Sequence, residues 1–468
     1  MKQKMVYTFL LVAILSVLNF SCSKGLKEEP MAQQEENAMR VNGEDANGSR
    51  QTKTYSADVI ISWLNMELEM LRVPLAPGTG SQAAERAMAY CGIAAYESVV
   101  PGMPAYQSLT GQLVDFPAMP LTQHGKRYHW AASANAALAE INRKLFPTTS
   151  LANKTSMDNL ENSLQAIYAA ETDAETLQRS IAFGKEVATR VFTWSTTDGS
   201  ANVNPPYVPP IGPGFWVSTP PNFPAAINPY ASQRRLMVPG VANGTFIPGP
   251  PAYSTNPSSP FFAMVKDVYD KSQALTPAQT AMAIYHRDAP GYPGGGHFVS
   301  ILSQVFSQSH VKLDVAALTY AKTGLASYNA ITICFTKKYN VNLLRPISYI
   351  RDVMGYTSWN ALFNTPGHPE FPAAHAVNSA AIAVMLTDEI GGNFHFTLHS
   401  YDYLGLPARS YNSFYDMAKE MADSRVFGGI HYQASCDKGR WLGIKIGYNI
   451  LYGVDFLRND HDHHGHNN

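Results

Sequence analysis

The chain has 468 residues, of which 45% are hydrophobic and 15% are charged. An average domain carries roughly 25% charged residues, so this composition excludes a mostly disordered protein and suits a chain with a large buried core. Lysine and arginine together number 35 and aspartate and glutamate 36, which leaves a net charge of -1. Without excess positive charge, a nucleic-acid partner is not expected. Four cysteines do not form a disulfide framework.

The N-terminus has the pattern of an export signal. Two lysines in the first four residues precede an apolar run from Thr8 to Phe20, which is shorter than a membrane-spanning helix. The run ends at Ser21-Cys22 and resembles a bacterial lipoprotein signal, so we expect cleavage before Cys22 and lipidation of its thiol. An ordinary secretory signal is the alternative. The expected location is the cell envelope, with a lipid anchor in the membrane.

The chain divides into four predicted regions. Residues 1–22 are the signal, and residues 23–54 form a polar tether whose composition cannot bury enough surface to fold. Residues 55–457 form one large domain. Residues 458–468 are a histidine-rich tail, which we interpret as a solvated end with incidental metal affinity.

The large domain reads as all-α. Helical spacing and helix-forming residues recur along it, the longest stretch being Leu313 to Lys338, and alternating strand patterns are nearly absent. A proline-rich segment spans residues 204–260, and 15 of the 31 prolines lie at positions 205–260. This density of proline predicts irregular structure rather than helix. That segment is either an interdomain linker or a loop that wraps the helices, and its aromatic residues favour the wrap. We expect Cys91, Cys334 and Cys436 to be buried thiols.

The chemistry concentrates in three short motifs. Lys338 and Arg345, followed by Pro346, are seven residues apart, so a helix places them on one face, where two cations suit a multiply charged oxyanion. Pro372-Ala373-Ala374-His375 begins an apolar helix whose free N–H groups can bind an anion, next to a histidine that can exchange protons. Arg425 and His431 flank Gly428-Gly429, which offers a break that could bring both side chains to one site. Each motif alone is also compatible with an ordinary surface or capping role.

Taken together and in this order, the motifs resemble the signature of the type 2 phosphatidic acid phosphatase and vanadium-dependent haloperoxidase superfamily. Strong resemblance covers about residues 338 to 435, and weaker resemblance covers about 55 to 455. The sequence around His368-Pro-Glu-Phe-Pro372 and Gly-Phe-Trp216 is similar to the soluble bacterial haloperoxidase-like branch. The resemblance implies a large helical bundle of the acid phosphatase and haloperoxidase type, with vanadate as the cofactor and hydrogen peroxide and halide as substrates.

The resemblance also implies roles for single residues. His431 would be the axial ligand of vanadium, or the nucleophile of a phosphatase. Lys338, Arg345 and Arg425, with the N–H of Ala374, would hold the oxyanion, and His375 would be the acid–base group opposite His431. Asp288 is the candidate to orient His375. His368 stands where algal bromoperoxidases carry histidine and fungal chloroperoxidases an aromatic residue, which predicts iodide or bromide rather than chloride as substrate.

Two positions depart from the family pattern. Its Pro-Ser-Gly-His is Pro372-Ala373-Ala374-His375 here, which removes a hydroxyl that would bind the oxyanion. The acidic residue expected four positions after His431 is Ser435, with Asp437 two residues further on as a possible substitute, while Glu370 reads as a surface acid or one that supports a neighbouring site residue.

The sequence therefore predicts a vanadium-dependent haloperoxidase-like enzyme. One alternative is a phosphatase on the same scaffold, acting on a phosphomonoester or pyrophosphate. The other is a non-catalytic surface lipoprotein that binds an oxyanion.

Overall fold

A computed structural model describes residues 44–45, 48–72, 83–287 and 295–458. The predicted export signal with Cys22, Asp288 and most of the histidine-rich tail lie outside the described residues. Within them the protein is mostly helical, which confirms the all-α prediction. The helices are α1 Asp58–Leu71, α2 Ala83–Glu97, α3 Trp130–Leu145, α4 Leu151–Ala169, α5 Ala174–Ser195, α6 Pro260–Gln273, α7 Pro277–Tyr285, α8 Gly296–Ser309, α9 Leu313–Val341, α10 Pro346–Asp352, α11 Ala374–Ile390, α12 Phe414–Phe427 and α13 Gln433–Gly453.

Two short strands accompany the helices in the described residues. Strand β1, Phe396–Leu398, pairs antiparallel with β2, Arg409–Tyr411, and Phe396 lies opposite Tyr411. The pair lies between α11 and α12 along the chain and packs against α8 and α12. It thereby brings Arg409 and Tyr411 next to Glu420 on α12, a contact that matters for the site.

Helix α9 is the centre of the core. Its residues are buried on almost every side, and it packs against α2, α11 and α13. A helix that is apolar all round must be enclosed in this way. Glycines allow α2 and α9 to come close: a Cβ at Gly92 would lie 2.5 Å from the Tyr320 carbonyl oxygen, and one at Gly324 would lie 2.5 Å from that of Met88. The close approach holds the first half of α9 against α2.

Helix ends follow local side-chain capping. Ser150 Oγ accepts a hydrogen bond from Asn153 N, and Asp173 Oδ1 accepts one from Thr176 N. These caps satisfy N–H groups that have no partner inside the helix. Helix α4 consequently begins at Leu151, directly after the Ser150 cap.

The segment before α1 is ordered in the part that the structure describes. Thr52 Oγ1 donates to the Val99 carbonyl oxygen at 3.0 Å, and Trp130 Nε1 donates to Asp45 Oδ2 at 3.1 Å. Residues 48–54, which the composition assigned to the tether, therefore lie against the helical core. A few buried polar contacts hold them there, and composition does not register such contacts.

The proline-rich segment lies against the loops that carry the motifs. Trp216 N donates to the Asn342 carbonyl oxygen at 2.8 Å, and Ile227 N donates to that of Gly367, also at 2.8 Å. Tyr339 Oη donates to the Ile227 carbonyl oxygen at 2.6 Å. These bonds tie the segment to the end of α9 and to the loop before α11.

Cys91, Cys334 and Cys436 are buried free thiols, as expected. Over the described ranges, no helix combines the length and the apolar character needed to cross a membrane.

Candidate active site

Five charged or titratable side chains from the three motifs lie at helix ends. Lys338 occupies the last turn of α9, Arg345 the position just before α10, and His375 the first turn of α11. Arg425 lies in the last turn of α12, and His431 lies in the turn between α12 and α13. Helix packing brings these ends together, although the motifs are spread over 94 positions of sequence.

The Arg345 guanidinium holds this region together. It is fully buried, and its Nε donates to the His368 carbonyl oxygen at 2.9 Å. Its Nη1 lies 2.8 Å from the Ile430 carbonyl oxygen and 3.2 Å from His431 Nε2. Its Nη2 lies 3.0 Å from His368 Nδ1. Arg345 thus joins the second and third motifs directly.

Lys338 is buried, and no carboxylate of the described residues lies against its ammonium group. Its Nζ donates to the carbonyl oxygens of Pro369 and Glu370, both at 2.9 Å. Burial lowers the pKa of Lys338 below its usual range, and the nearby Arg345 charge adds to this effect. A buried cation held only by carbonyls gains from an anion nearby, because an anion restores the charged form.

His431 is oriented by a carboxylate. Its Nδ1 lies 2.8 Å from Glu370 Oε1, which also accepts from Tyr432 N at 2.9 Å. A carboxylate only accepts, so Nδ1 carries the proton and Nε2 keeps its lone pair, which accepts from Arg345 Nη1. Burial, together with the charges of Arg345 and Lys338, holds the pKa of His431 well below its usual range. The ring is therefore neutral and presents a nitrogen lone pair to the cations.

Glu370 takes the place that the sequence left open for an acid beside His431. It is fully buried, and its Oε2 accepts from Ser435 Oγ at 2.6 Å. Asp437, considered as a substitute for the missing acid, instead bonds Gln433 Nε2 at 3.1 Å at an exposed position. Of the two interpretations of Glu370, the surface acid is therefore wrong and the supporting acid is correct. The signal for it was a carboxylate between two motif histidines, next to prolines that force extended backbone.

His368 lies beside the oxyanion-binding groups. His368 Nδ1 lies 3.0 Å from Arg345 Nη2 and 3.1 Å from the Pro369 carbonyl oxygen. The buried guanidinium is a charged donor that cannot accept, so its bond is the stronger of the two and favours Nδ1 as the acceptor, with the proton on Nε2. The ring packs against Phe335 with centroids 4.9 Å apart. Burial and the charges of Lys338 and Arg345 hold the pKa of His368 well below its usual range, so the ring is neutral. It can donate one hydrogen bond from Nε2.

The start of α11 offers backbone donors. Its first internal hydrogen bond runs from Val377 N to the Ala373 carbonyl oxygen, so the N–H of Ala374 is not used within the helix. The Ala373 N–H donates to the Ser435 carbonyl oxygen at 3.2 Å. His375 follows in the same turn and is partly exposed. Here α11 can still provide a backbone donor, although the expected serine is absent.

A pair of buried histidines adjoins this end of the site, and the sequence analysis did not single them out. His286 and His297 have ring centroids 5.7 Å apart, and a charge on His375 would lower the pKa of either ring. The His286 carbonyl oxygen accepts a hydrogen bond from Arg425 Nη1. Asp288, the residue expected to orient His375, lies outside the described residues, so its role stays a prediction.

The charge balance identifies the kind of ligand that fits. Lys338, Arg345 and Arg425 are buried close together, and Glu370 is a buried carboxylate beside them. Buried charge of one sign is costly unless it is compensated. In the part of the chain that the structure describes, no three His, Cys, Asp or Glu side chains are grouped to hold a metal ion. The residues present fit an oxyanion bound by cations and one histidine nitrogen.

The chain is similar to known proteins over most of its length. Residues 318–459 match a family model described as the VCPO second helical-bundle domain. The solved structure of the first bacterial vanadium-dependent iodoperoxidase has a TM-score of 0.77 and 27% identity, covering 86% of this chain and 98% of that one. The holo-type structure of a bacterial vanadium-dependent chloroperoxidase has a TM-score of 0.60 and 15% identity, covering 82% of this chain and 94% of that one. The apo-type structure has a TM-score of 0.59 and 14% identity, covering 82% of this chain and 95% of that one. At that identity they share the fold alone. No curated protein sequence matches the chain at a significant level.

Proposed function

Because the chain belongs to the superfamily of vanadium haloperoxidases and type 2 phosphatidic acid phosphatases, we propose that it is a vanadate-dependent haloperoxidase. It oxidises iodide or bromide with hydrogen peroxide to the hypohalous acid and water. The similarity to a solved bacterial iodoperoxidase over nearly all of that chain supports this assignment.

One observation carries the proposal: Glu370 fixes the tautomer of His431 so that a bare nitrogen faces the buried cations. A histidine held in this way is suited to ligate a centre that carries negative oxygens, since its other nitrogen is already anchored. The positive charges of Lys338, Arg345 and Arg425 around it would attract those negative oxygens.

The residues would hold vanadate as follows. His431 Nε2 would provide the single nitrogen ligand, and Lys338, Arg345 and Arg425 would neutralise the oxygens, with the N–H of Ala374 as a backbone donor. When bound, vanadate supplies a Lewis-acidic centre that activates hydrogen peroxide towards halide.

The chain's own acid–base groups perform the proton transfers. His375, at the mouth of the site, takes a proton from hydrogen peroxide and returns it as water forms. His368 donates from Nε2 and orients the peroxide without changing charge, because burial keeps its ring neutral. A polar donor in this place favours an easily oxidised halide, iodide or bromide, over a dry pocket for chloride.

We also propose that the protein is exported and anchored by a lipid on Cys22, with the tether joining the anchor to the helical domain. Its supporting observation is the basic, apolar and Ser-Cys order of residues 1–22. Labelling with a radioactive fatty acid should mark the wild type and leave Cys22→Ala unlabelled. Equal labelling of both would overturn the lipidation site.

The test of function is a side-by-side assay on the purified full chain. Vanadate, hydrogen peroxide and iodide should give triiodide formation that depends on vanadate. A parallel assay with a phosphate ester and no vanadate should give little product. Phosphate release without halide oxidation would overturn the proposal in favour of a phosphatase, and absence of both activities would favour a binding protein.

A further inference from the structure

The pair formed by the partly buried Glu420 and the buried His286 adjoins the active site and has no role in the mechanism given above. His286 Nε2 lies 2.9 Å from Glu420 Oε1, and the His286 carbonyl oxygen accepts from Arg425. His286 is 1% exposed, and the Glu420 side chain is 18% exposed. His286 thus lies buried beside Arg425, and its partner Glu420 reaches the solvent-exposed surface.

Glu420 is held as a carboxylate by three donors. Arg409 donates from Nε at 2.5 Å and from Nη2 at 2.6 Å, and Tyr411 Oη donates at 2.7 Å. Although burial alone raises it, these bonds and the one from His286 lower the pKa of Glu420 to about 2. At neutral pH the group is thus an anion that fixes its partner's tautomer.

The tautomer of His286 follows from that anion. Because Glu420 only accepts, His286 Nε2 carries the proton and Nδ1 presents a lone pair. That Nδ1 is buried and has no hydrogen-bond partner among the described residues. A buried acceptor without a donor is destabilising, so its presence next to the site indicates that a proton or substrate reaches it during turnover. The arrangement is a carboxylate-backed histidine with its basic nitrogen unused.

Charged and titratable groups from five elements surround His286. Beyond Glu420 and Arg425 on α12 they are Arg409 and Tyr411 on β2, His297 on α8, His375 on α11 and Tyr285 on α7. Burial lowers the pKa of His286, Glu420 opposes that effect, and Arg409 and His375 reinforce it. A charge on His375 would therefore disfavour a proton on His286.

We propose that Glu420 and His286 form a second acid–base couple of the site, which holds a proton for His375. The inference rests on the proposed haloperoxidase function. A proton leaves hydrogen peroxide for His375 and passes to His286 Nδ1, where the Glu420 carboxylate stabilises the imidazolium. That proton and one from solvent then combine with the remaining hydroperoxide oxygens and the halide to give hypohalous acid and water. Since His286 acts through His375, it is a positioning residue rather than a catalytic one.

Two measurements test the couple. The first uses the protein without vanadate and follows the His286 ring by NMR with carbon-13-labelled histidine. Glu420→Gln should lower the pKa of His286, because the carboxylate raises it, and His375→Gln should raise it, because that ring lowers it. Glu171→Gln is the matched control, since Glu171 bonds a different buried histidine, His129, at 3.0 Å. It should leave the His286 titration unchanged.

The second measurement is the pH profile of kcat/KM for peroxide with vanadate bound. Glu420→Gln should reduce the value at the optimum by about 10- to 100-fold and move the acid limb to lower pH, because a weaker base is protonated later. Glu171→Gln should keep the wild-type profile. If Glu420 had only a structural role, Glu420→Gln would lower the melting temperature and the fraction of active protein. The acid limb of the kcat/KM profile would then stay at its wild-type pH.

The outcomes separate this inference from the proposed function. A wild type that binds vanadate but shows no halide turnover rejects the function, and the inference with it. An active wild type whose profile superimposes on those of Glu420→Gln and His286→Gln rejects the couple alone. A His286 titration that ignores both Glu420→Gln and His375→Gln rejects it as well, independently of turnover.

Discussion

Glu370 Oε1 accepts a hydrogen bond from His431 Nδ1 at 2.8 Å, inside the protein and 61 residues away in sequence. The carboxylate also binds Tyr432 N and Ser435 Oγ, so it holds the whole turn between α12 and α13. The orientation of the proposed vanadium ligand therefore depends on a residue of the loop before α11. The missing acid at position 435 is replaced from a different part of the chain.

This relationship predicts the effect of Glu370→Gln. The amide cannot accept from His431, Tyr432 and Ser435 as a carboxylate does, and the ring loses its fixed tautomer. We expect vanadate affinity to fall by about 10- to 100-fold, as for other groups that orient ligating histidines. Equilibrium dialysis measures it. Asp437→Asn is the control and should bind as the wild type does; an equal loss in both variants would contradict the role assigned to Glu370.

Substitution of His431 and of His375 should affect vanadate binding and turnover differently. His431→Ala should abolish vanadate binding and turnover together, because it removes the nitrogen ligand. His375→Ala should keep much of the binding, since three cations and His431 remain, and lose about 100- to 10,000-fold in turnover. Vanadate affinity, turnover and melting temperature are measured for both. Wild-type turnover in His375→Ala would show that His375 is not the acid–base residue.

Vanadate and phosphate should compete for one site. Lys338, Arg345 and Arg425 act through charge and hydrogen bonding, which do not distinguish two tetrahedral oxyanions of similar size. Increasing phosphate should therefore raise the vanadate concentration needed for half-maximal binding in proportion. Dialysis with both anions present makes the measurement, and full simultaneous occupancy by both would contradict a shared site.

The halide range should follow from His368. We expect the wild type to oxidise iodide and bromide but not chloride at neutral pH. His368→Phe removes the Nε2 donor and leaves Arg345 Nη2 without that acceptor, so kcat/KM for peroxide should fall by about 10-fold or more. Rates with each halide are compared for both proteins. Efficient chloride oxidation by the wild type would show that His368 does not set the range.

Glu67 should make stability depend on pH. Burial raises its pKa from 4.5 to about 8, opposed by the hydrogen bond from Tyr320 Oη at 2.5 Å. Between those values the unfolded chain releases the proton while the folded chain keeps it, so stability falls as pH rises from about 4.5 to about 8. Glu67→Gln should remove this fall in stability. The melting temperature of the variant should therefore rise relative to that of the wild type as the pH increases through that range. The exposed Glu69→Gln, on the same helix, should follow the wild type.

Much of the site could be predicted because its residues lie in short motifs. Lys338 and Arg345 are seven residues apart, and His375 follows a proline that starts a helix. His375 keeps its predicted place in the first turn of α11. The helix face expected to join Lys338 and Arg345 was wrong, because α9 ends at Val341 and Arg345 lies just before α10. The all-α fold could be predicted from the periodicity of apolar residues and the near absence of strand patterns.

The partners of these residues could not be predicted in the same way. His286 and Glu420 lie outside the motifs, and Glu370 lies between two motif histidines without a spacing that identifies its partner. Each reaches its partner across 60 or more residues through the packing of separate helices and loops. A carboxylate's role depends on what packs around it, since burial and donors decide whether it lies at the surface or orients a ring. The sequence alone determined the three cations and two histidines that the motifs bring to the site. Only the tertiary structure decided which nitrogen of each ring carries a proton, because that depends on donors and acceptors brought together by folding.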